Sequence, residues 1–408
     1  MKTVVLAYSG GLDTSVCVKW LAERGYRVIA FMADVGQGEP SAKAIARGKI
    51  AGASKIIVKD LRREFLTDYC WPSLKADAVY EGEYLLATAL SRPLIAAHLV
   101  KVAHQVGATA VSHGCTGKGN DQVRFEVTTR ILDPSLEIIA PVREWDFKSR
   151  EEEIDFALQH RIPIDVSKRS PYSIDQNLWG TSIEAGVLED PWVEPPKDTY
   201  RSIRLPQRAP ARHAYVTIGF TRGVPRRVDG ARLDPIRLVE RLNALGGLHG
   251  VGRSDMIESR VVGIKSREIY ESPGATILLK AHQELERLTL DRELLRFKQG
   301  IAATYAHLVY AGLWLTPLKR ALDAFVEETQ RVVSGDVRVR LFKGTCQVVG
   351  RRSPHSLYRE RLATYSAKDQ FDQRLAASFI KLYGLPYEGA ASHERSMNGL
   401  QARAPHAG

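Results

Sequence analysis

The chain has 408 residues, 58 Lys or Arg against 47 Asp or Glu, and a formal net charge of +11. With 44% hydrophobic and 26% charged residues, it has the composition of a folded globular protein, which excludes disordered, collagen-like and fibrous classes. At roughly 100–200 residues per domain, the length predicts two or three domains, each able to bury a core without staples.

In chain order, Val4–Tyr8 is a short apolar run and a first strand. A helix follows, with Val16/Trp20 and Cys17/Leu21 at i, i+4 spacing. Arg27–Ala33 is a second strand, Ala42–Ala51 a helix and Lys55–Val58 a third strand. A long helix is predicted over Leu85–Val106, then strands over Thr109–Ser112 and Glu137–Ala140. This alternation predicts the α/β class, with a parallel sheet and helices on both faces. Such sheets bind ligands in the loops after their strands, here Ser9–Ser15, Asp34–Glu39 and His113–Asp121.

After Asp165 the pattern changes. Pro171, Pro191, Pro195, Pro196, Pro206 and Pro210 cut the chain into short pieces. Strands are predicted over Tyr215–Phe220, Val337–Phe342 and Gln347–Val349, and helices over Pro235–Leu245, Ala281–Gly300 and Lys319–Val332. This is a mixed α+β domain. Lys368–Leu382 reads as one more helix, with Phe371, Leu375, Phe379 and Leu382 on one face; that face must be buried on its own domain or on a neighbouring subunit. The tail after Glu388 is rich in Ala, Gly and Ser and is expected to be disordered. The predicted division is 1–165, 166–365, 366–387 and 388–408.

Several function classes are set aside. Gln299–Leu318 carries no formal charge over a length that could cross a bilayer. It contains Thr304, His307, Tyr310, Thr316 and Pro317, so it is read as a buried or interfacial helix. The opening segment, one Lys and an apolar run from Thr3 to Tyr8 followed by glycines, is unlike a secretory leader. Cys17, Cys70, Cys115 and Cys346 form no CxxC pair and no zinc-type cluster, which argues against a disulfide framework and fits a reducing, cytoplasmic setting. Residues 201–240 hold nine arginines and three acids, or +6 of the +11. With only Tyr215 and Phe220 among them, they lack a stacking platform for bases and read as a solvated basic face.

The first strand ends in Ala7-Tyr8-Ser9-Gly10-Gly11-Leu12-Asp13-Thr14-Ser15. Two glycines let backbone amides approach a phosphate, and the helix beginning near Thr14 points its positive end there. The hydroxyls of Ser9, Thr14 and Ser15 can donate to phosphate oxygens. Asp13 would repel phosphate unless it caps the helix or a magnesium ion bridges it to the phosphates. A Walker A loop and a GxGxxG fingerprint are both absent. The near miss to GxSxG lacks its first glycine and an oxyanion loop. The SGGxDxS pattern resembles the pyrophosphate-binding (PP-loop) turn of the N-type ATP pyrophosphatases, which cleave ATP between the α and β phosphates and adenylate an oxygen. By itself this turn leaves GMP synthetase, asparagine synthetase and tRNA-modifying enzymes open.

The segment from Ser112 to Glu126, SHGCTGKGNDQVRFE, follows a predicted strand. Thr116, Asn120, Asp121 and Arg124 set hydroxyl, amide, carboxylate and guanidinium groups in one loop and turn. That mixture suits a zwitterionic amino acid, with Arg124 able to fork a carboxylate and Asp121 an ammonium. A loop whose polar groups satisfy one another is the alternative.

The whole chain is similar to the argininosuccinate synthase family. The resemblance rests on AYSGGLDTS (7–15), DVGQGE (34–39), YLLATALSRP (84–93), HGCTGKGNDQVRFE (113–126), APVREW (140–145), SPYSIDQNLWG (170–180), EAGVLEDPW (184–192), the block 249–278 and LTLDRE (288–293). It implies that Ala7 to Ser15, Ala33 and Gly114 hold ATP. It implies Thr116, Asn120 and Asp121 for aspartate, and Tyr84, Asn120, Arg124, Ser173, Ser182, Glu258 and Tyr270 for citrulline. Asp13, Asp121 and Arg124 would carry the catalytic weight. The implied reaction joins citrulline and aspartate through a citrullyl-adenylate to argininosuccinate, AMP and diphosphate. ATP would enter with Mg2+, and no resident metal, nucleic acid or membrane is implied. A homotetramer held by terminal helices is implied as well. The chain departs from the family where Ala87-Thr88-Ala89 replaces Gly-Thr-Ser, removing one citrulline contact at position 89. It also departs at Val142 and Trp179-Gly180-Thr181. The remaining alternative is a tRNA-modifying adenylating enzyme with the same turn.

Overall fold

In the computed structural model, residues 1–38, 42–147, 149–163 and 172–397 are described. The first half is β1 (Thr3–Ala7), α1 (Leu12–Glu23), β2 (Arg27–Asp34), α2 (Ala42–Ile50), β3 (Lys55–Asp60), α3 (Ala87–Val106), β4 (Ala110–Ser112), α4 (Asp121–Leu132), β5 (Glu137–Ile139) and α5 (Arg150–Gln159). The five strands form one parallel sheet in the order β3-β2-β1-β4-β5. Val4, Val5 and Leu6 of the middle strand are fully buried, as expected of a strand covered by helices on both faces. The chain runs outward from β1 through β2 and β3, then returns to β4 on the other side. The strand order therefore switches between β1 and β4, the place at which open parallel sheets bind ligands, at the carboxyl ends of the strands.

The second half is β6 (Ser173–Asn177), β7 (Gly180–Glu184), β8 (Ala214–Thr221), β9 (Val224–Val228), β10 (Ala231–Arg232), α6 (Pro235–Leu248), β11 (Arg253–Ser259), β12 (Lys265–Glu271), α7 (Pro273–Thr289), α8 (Arg292–Tyr310), α9 (Pro317–Thr329), β13 (Gly335–Phe342) and β14 (Thr345–Arg352). Two antiparallel sheets result, β10-β9-β8-β13-β14 and β11-β12-β7-β6. All three sheets lie in one compact unit, Met1–His355. One buried apolar cluster runs from Val5 and Phe31 to Val337 and Leu341, so both halves share a core. The predicted boundary at residue 165 lies outside the described residues, as does Glu39.

The elements depart from the sequence reading in several places. The helix predicted over Ala281–Gly300 is two helices, because the Asp291 carboxylate accepts from the Glu293 and Leu294 amides and caps a new start. The uncharged stretch Gln299–Leu318 is split by Gly312, whose φ of +75° ends α8 before α9 begins. Among the described residues no helix is long and apolar enough to cross a membrane. The four-stranded sheet was not predicted at all. Its strands RSDMIES and KSREIYE are polar on one face and mixed on the other, which hides the two-residue period.

Residues from Ser356 onward form a second unit, whose main element is α10 (Leu375–Met397). The predicted helix begins too early, since Asp369 and Asp372 take the amides of Phe371 and Arg374 into local turns. It also continues past residue 388, through the helix formers Ala390, Ala391, Glu394 and Arg395. Residues 398–408 lie outside the described residues. Leu375, Phe379, Leu382 and Tyr383 of this helix are more than 60% exposed.

Candidate active site

The first wall of the site is the turn after β1. Gly10 takes φ +83°, and a Cβ there would sit 2.5 Å from the Ala44 Cβ, so only glycine fits. Arg47 Nη1 donates to the Gly10 carbonyl at 2.7 Å and fixes the turn from α2. Ser9 and Gly11 are exposed. The Ser9 and Thr14 hydroxyls stand 3.0 Å apart, and Ser9 Oγ accepts from the Gly11 amide at 3.3 Å. These groups can meet a phosphate. Ser15 cannot do so with its side chain, contrary to the sequence reading. Its hydroxyl is fully buried and donates to the Gly11 carbonyl at 2.6 Å. The Tyr8 hydroxyl is likewise buried, donating to the Ala44 carbonyl at 3.0 Å. Both side chains shape the turn. Asp13 is half-buried in the first turn of α1. Beside it, burial and the Asp13 charge push the Glu153 carboxyl of α5 up to about 8.

The second wall follows β4. A Cβ on Gly114 would lie 3.1 Å from Thr14 Cγ2 and 3.5 Å from Cys17 Sγ, so this loop rests directly on the phosphate turn. Ala33, at the end of β2, is buried on the far side of β1. Thr116 is exposed. The loop is held by Gln122 Nε2, which donates to the Gly117 carbonyl, and by Arg260 Nη1, which donates to the Lys118 carbonyl at 3.2 Å. Asp121 and Arg124 are not loop residues, as expected from the glycines. They occupy the first turn of α4, which fixes their spacing.

Here the charges pair. Asp121 Oδ1 accepts from Arg124 Nη1 at 2.9 Å, and its Oδ2 accepts from Arg92 Nε at 2.9 Å. Arg92 also pairs with Asp175 of β6. Against the cost of burial, Arg92 and Arg124 hold the Asp121 carboxyl below its usual range, whereas burial and the Asp121 charge push Asp175 up despite Arg92. Arg124 Nε donates to the Tyr310 carbonyl at 2.8 Å, while its Nη2 is buried with no partner among the described residues. A buried guanidinium N–H without an acceptor is costly, and a carboxylate ligand would relieve it.

The third wall is the four-stranded sheet. Antiparallel register pairs Asp175 with Ser182, Ser182 with Tyr270 and Tyr270 with Ser254. Side chains alternate along a strand, so Ser173, Ser182, Glu258 and Tyr270 share one face. Ile183 and Ile269 fill a small core on the other. Ser173 is exposed at the start of β6. Glu258 accepts from the Tyr270 hydroxyl at 2.5 Å and the Tyr310 hydroxyl at 2.6 Å. Burial raises its carboxyl above the usual range; the two hydroxyls and Arg124 pull it back. Tyr84 stacks on Tyr270 with centroids 4.0 Å apart, and its hydroxyl accepts from the amides of Thr88 and Ala89. Tyr84 thereby caps α3, which starts two residues later than predicted. Thr88 Oγ1 lies 2.8 Å from Ser182 Oγ. Ala89 is fully buried, and Ser91 spends its hydroxyl on the Thr88 carbonyl at 2.9 Å; neither replaces the absent serine. Asn120 donates through Nδ2 to the Tyr310 hydroxyl and accepts the Val261 amide, each at 2.8 Å.

The structure thus brings Gly114 to Thr14, Asp121 to Arg124, and Asn120 through Tyr310 to Glu258 and Tyr270, with Ser15 turned inward. Sequence reasoning missed Arg92, Asp175, Glu153 and Tyr310. Arg92 and Asp175 stand inside quoted motifs, and their charge was the available signal. Tyr310 lay in the uncharged stretch read as a buried or interfacial helix.

A parallel sheet with a glycine turn at its switch point, next to a second polar loop, defines a nucleotide-binding protein of the PP-loop class. The profile described as "Arginosuccinate synthase N-terminal HUP domain" matches residues 3–163, and "Arginosuccinate synthase C-terminal domain" matches residues 172–390. A protein of Rubrobacter xylanophilus named argininosuccinate synthase is 56% identical over 385 residues, 94% of each chain. Proteins of that name from Pelotomaculum thermopropionicum and Aquifex aeolicus are each 54% identical, covering 97% and 94% of this chain and 99% and 96% of theirs. The chain belongs to the argininosuccinate synthase family, ATP-dependent ligases of the PP-loop superfamily.

Proposed function

We propose that this protein joins citrulline to aspartate at the expense of ATP, giving argininosuccinate, AMP and diphosphate. One observation supports the reading at residue level: Gly114 packs on Thr14, so the loop that leads into Thr116–Arg124 touches the helix start of the phosphate turn. ATP lies along Ala7–Thr14, Ala33 and Gly114, with exposed Ser9 and Gly11 meeting the β and γ phosphates. Citrulline places its carboxylate on Arg124 Nη2, which has no partner among the described residues, and its ammonium on Glu258, among Tyr84, Asn120, Ser173, Ser182 and Tyr270. Aspartate lies on Thr116, Asn120 and Asp121.

The ureido oxygen of citrulline attacks the α phosphorus, and diphosphate leaves into the turn. The aspartate amine then attacks the activated ureido carbon, and AMP departs. Positioning and fixed charges supply the catalysis, with no covalent enzyme intermediate. Mg2+ typically takes one or two carboxylates plus substrate phosphates. Asp13 beside the exposed Ser9 and Thr14 hydroxyls is such a donor set, so Asp13 would hold the ion, which would neutralise phosphate charge.

Thiolation of tRNA is disfavoured because burial pushes the thiols of Cys17, Cys70 and Cys115 well above the usual range and Cys346 up to about 11; a nucleophilic cysteine needs the opposite. We further propose a homotetramer assembled through the exposed apolar residues of α10, located in the cytoplasm. The test of function is exchange of labelled pyrophosphate into ATP. It should require citrulline, and AMP should appear on adding aspartate. Absence of both with all substrates present refutes the reading.

A further inference from the structure

The residue that joins the two amino-acid subsites is one that neither of them was expected to contain. Tyr310 is the last residue of α8 and is 1% exposed. Gly312 follows at φ +75°, and a Cβ there would lie 2.7 Å from Arg124 Cα. The end of α8 is therefore pressed against the first turn of α4. The Tyr310 ring lies flat on Tyr80, with centroids 3.6 Å apart and planes 4° from parallel, and the Arg124 guanidinium stands 4.9 Å over its face. Ring and backbone are thus held on three sides, and the hydroxyl can point in only one direction.

That hydroxyl makes two bonds of opposite sense. It donates to Glu258 Oε1 at 2.6 Å and accepts from Asn120 Nδ2 at 2.8 Å. The Asn120 amide has no choice of orientation, because its Oδ1 accepts the Val261 amide at 2.8 Å. The bonds therefore run one way, from Asn120 through Tyr310 to the carboxylate. Chains of this kind polarise, each bond strengthening the next. Asn120 is 8% and Glu258 2% exposed, so water does not screen the chain. Without the hydroxyl, Glu258 keeps only its bond from Tyr270, and an Asn120 N–H is left buried and unpaired.

We propose that Tyr310 is a positioning residue that holds at once Glu258 for citrulline and Asn120, which both amino acids share, so that the two subsites are set by a single hydroxyl. This rests on the substrate assignment above and adds a residue to it. ATP binding is outside the chain of bonds, since the Ser9–Ser15 turn shares no hydrogen bond with Tyr310 among the described residues.

The test is steady-state kinetics on Tyr310→Phe, which keeps the ring stack and loses the hydroxyl. Removing one buried hydrogen bond from each subsite is worth about tenfold apiece. The KM values for citrulline and aspartate should each rise about tenfold, with that for ATP unchanged and the melting curve close to that of the parent. Glu258→Gln is the second variant. It should raise the KM for aspartate as well as for citrulline, although Glu258 belongs to the citrulline subsite. A rise confined to citrulline in both variants, or an equal loss for all three substrates, overturns the coupling. Citrulline-dependent exchange in the unmodified protein is measured alongside. Its absence would refute the substrate assignment, whereas its presence with an unaltered Tyr310→Phe would refute only the coupling.

Discussion

Asp121→Ala separates the two half-reactions, and the structure supplies both magnitudes. Asp121 sits between two guanidinium groups, Arg92 at 2.9 Å and Arg124 at 2.9 Å. With Asp175 they make a quartet of two cations and two anions. Removing one member of a buried pair typically costs about 3–5 kcal/mol. Here the cost falls at about 2–3 kcal/mol, because each cation keeps an acceptor and an anionic neighbour is relieved. Arg92 keeps Asp175; Arg124 keeps the Tyr310 carbonyl at 2.8 Å; and Asp175 loses the like charge that raises its carboxyl. At about 2.1 cal/mol/K of unfolding entropy per residue, that is a Tm lower by about 3 °C. The kinetic effect is larger. A charge-assisted bond to the aspartate ammonium is worth about 1.5–3 kcal/mol, or a rise of about 10- to 100-fold in the KM for aspartate. Citrulline-dependent pyrophosphate exchange needs no aspartate and should change less than about threefold. The assay compares exchange with aspartate-dependent AMP release in one preparation. If both fall by the same factor, Asp121 acts on Arg124 or the fold and not on aspartate.

Two neighbouring glycines should behave differently. Gly10→Ala forces a left-handed φ of +83° and a 2.5 Å approach to Ala44, costing about 2–4 kcal/mol; at Gly11 a Cβ meets only Ser9 Oγ, at 3.4 Å, so Gly11→Ala should melt like the parent. Equal melting curves would contradict the turn geometry. Glu153, pushed up to about 8 from 4.5, binds its proton more tightly folded than unfolded. Its effect therefore favours the fold below pH 4.5 and is progressively lost as pH rises to about 8. Glu153→Gln should flatten the fall in unfolding free energy between those limits, by an amount on the order of a few kcal/mol; an unchanged slope would refute a carboxyl raised by burial beside Asp13.

Much of the first half was legible in the residues. β1 and β2 are continuous apolar runs because the middle of a parallel sheet is covered on both faces, and the glycine turn announces itself because only glycine reaches φ +83° at Gly10. The second half was legible only in part. Pro235–Leu245 and Val337–Phe342 stand out by period, but β6, β7, β11 and β12 carry polar groups such as Asp175, Ser182, Glu258 and Glu268 on one shared face, which removes the alternation that marks a strand. Asp291 was read through as helix interior although it caps a new one.

By itself, the sequence determined the family, the phosphate turn and most of the polar residues of the site, since these are properties of residue type and short spacing. Tertiary structure alone decided how those residues are used. Ser15 turns inward because its hydroxyl is taken by the Gly11 carbonyl and lies 3.1 Å from the Tyr8 hydroxyl. Asp121 faces Arg92 because α3 crosses α4. Tyr310 reaches Asn120 and Glu258 from 190 and 52 residues away, a distance in sequence over which no local pattern carries information and only the packing of α8 on α4 brings the groups together.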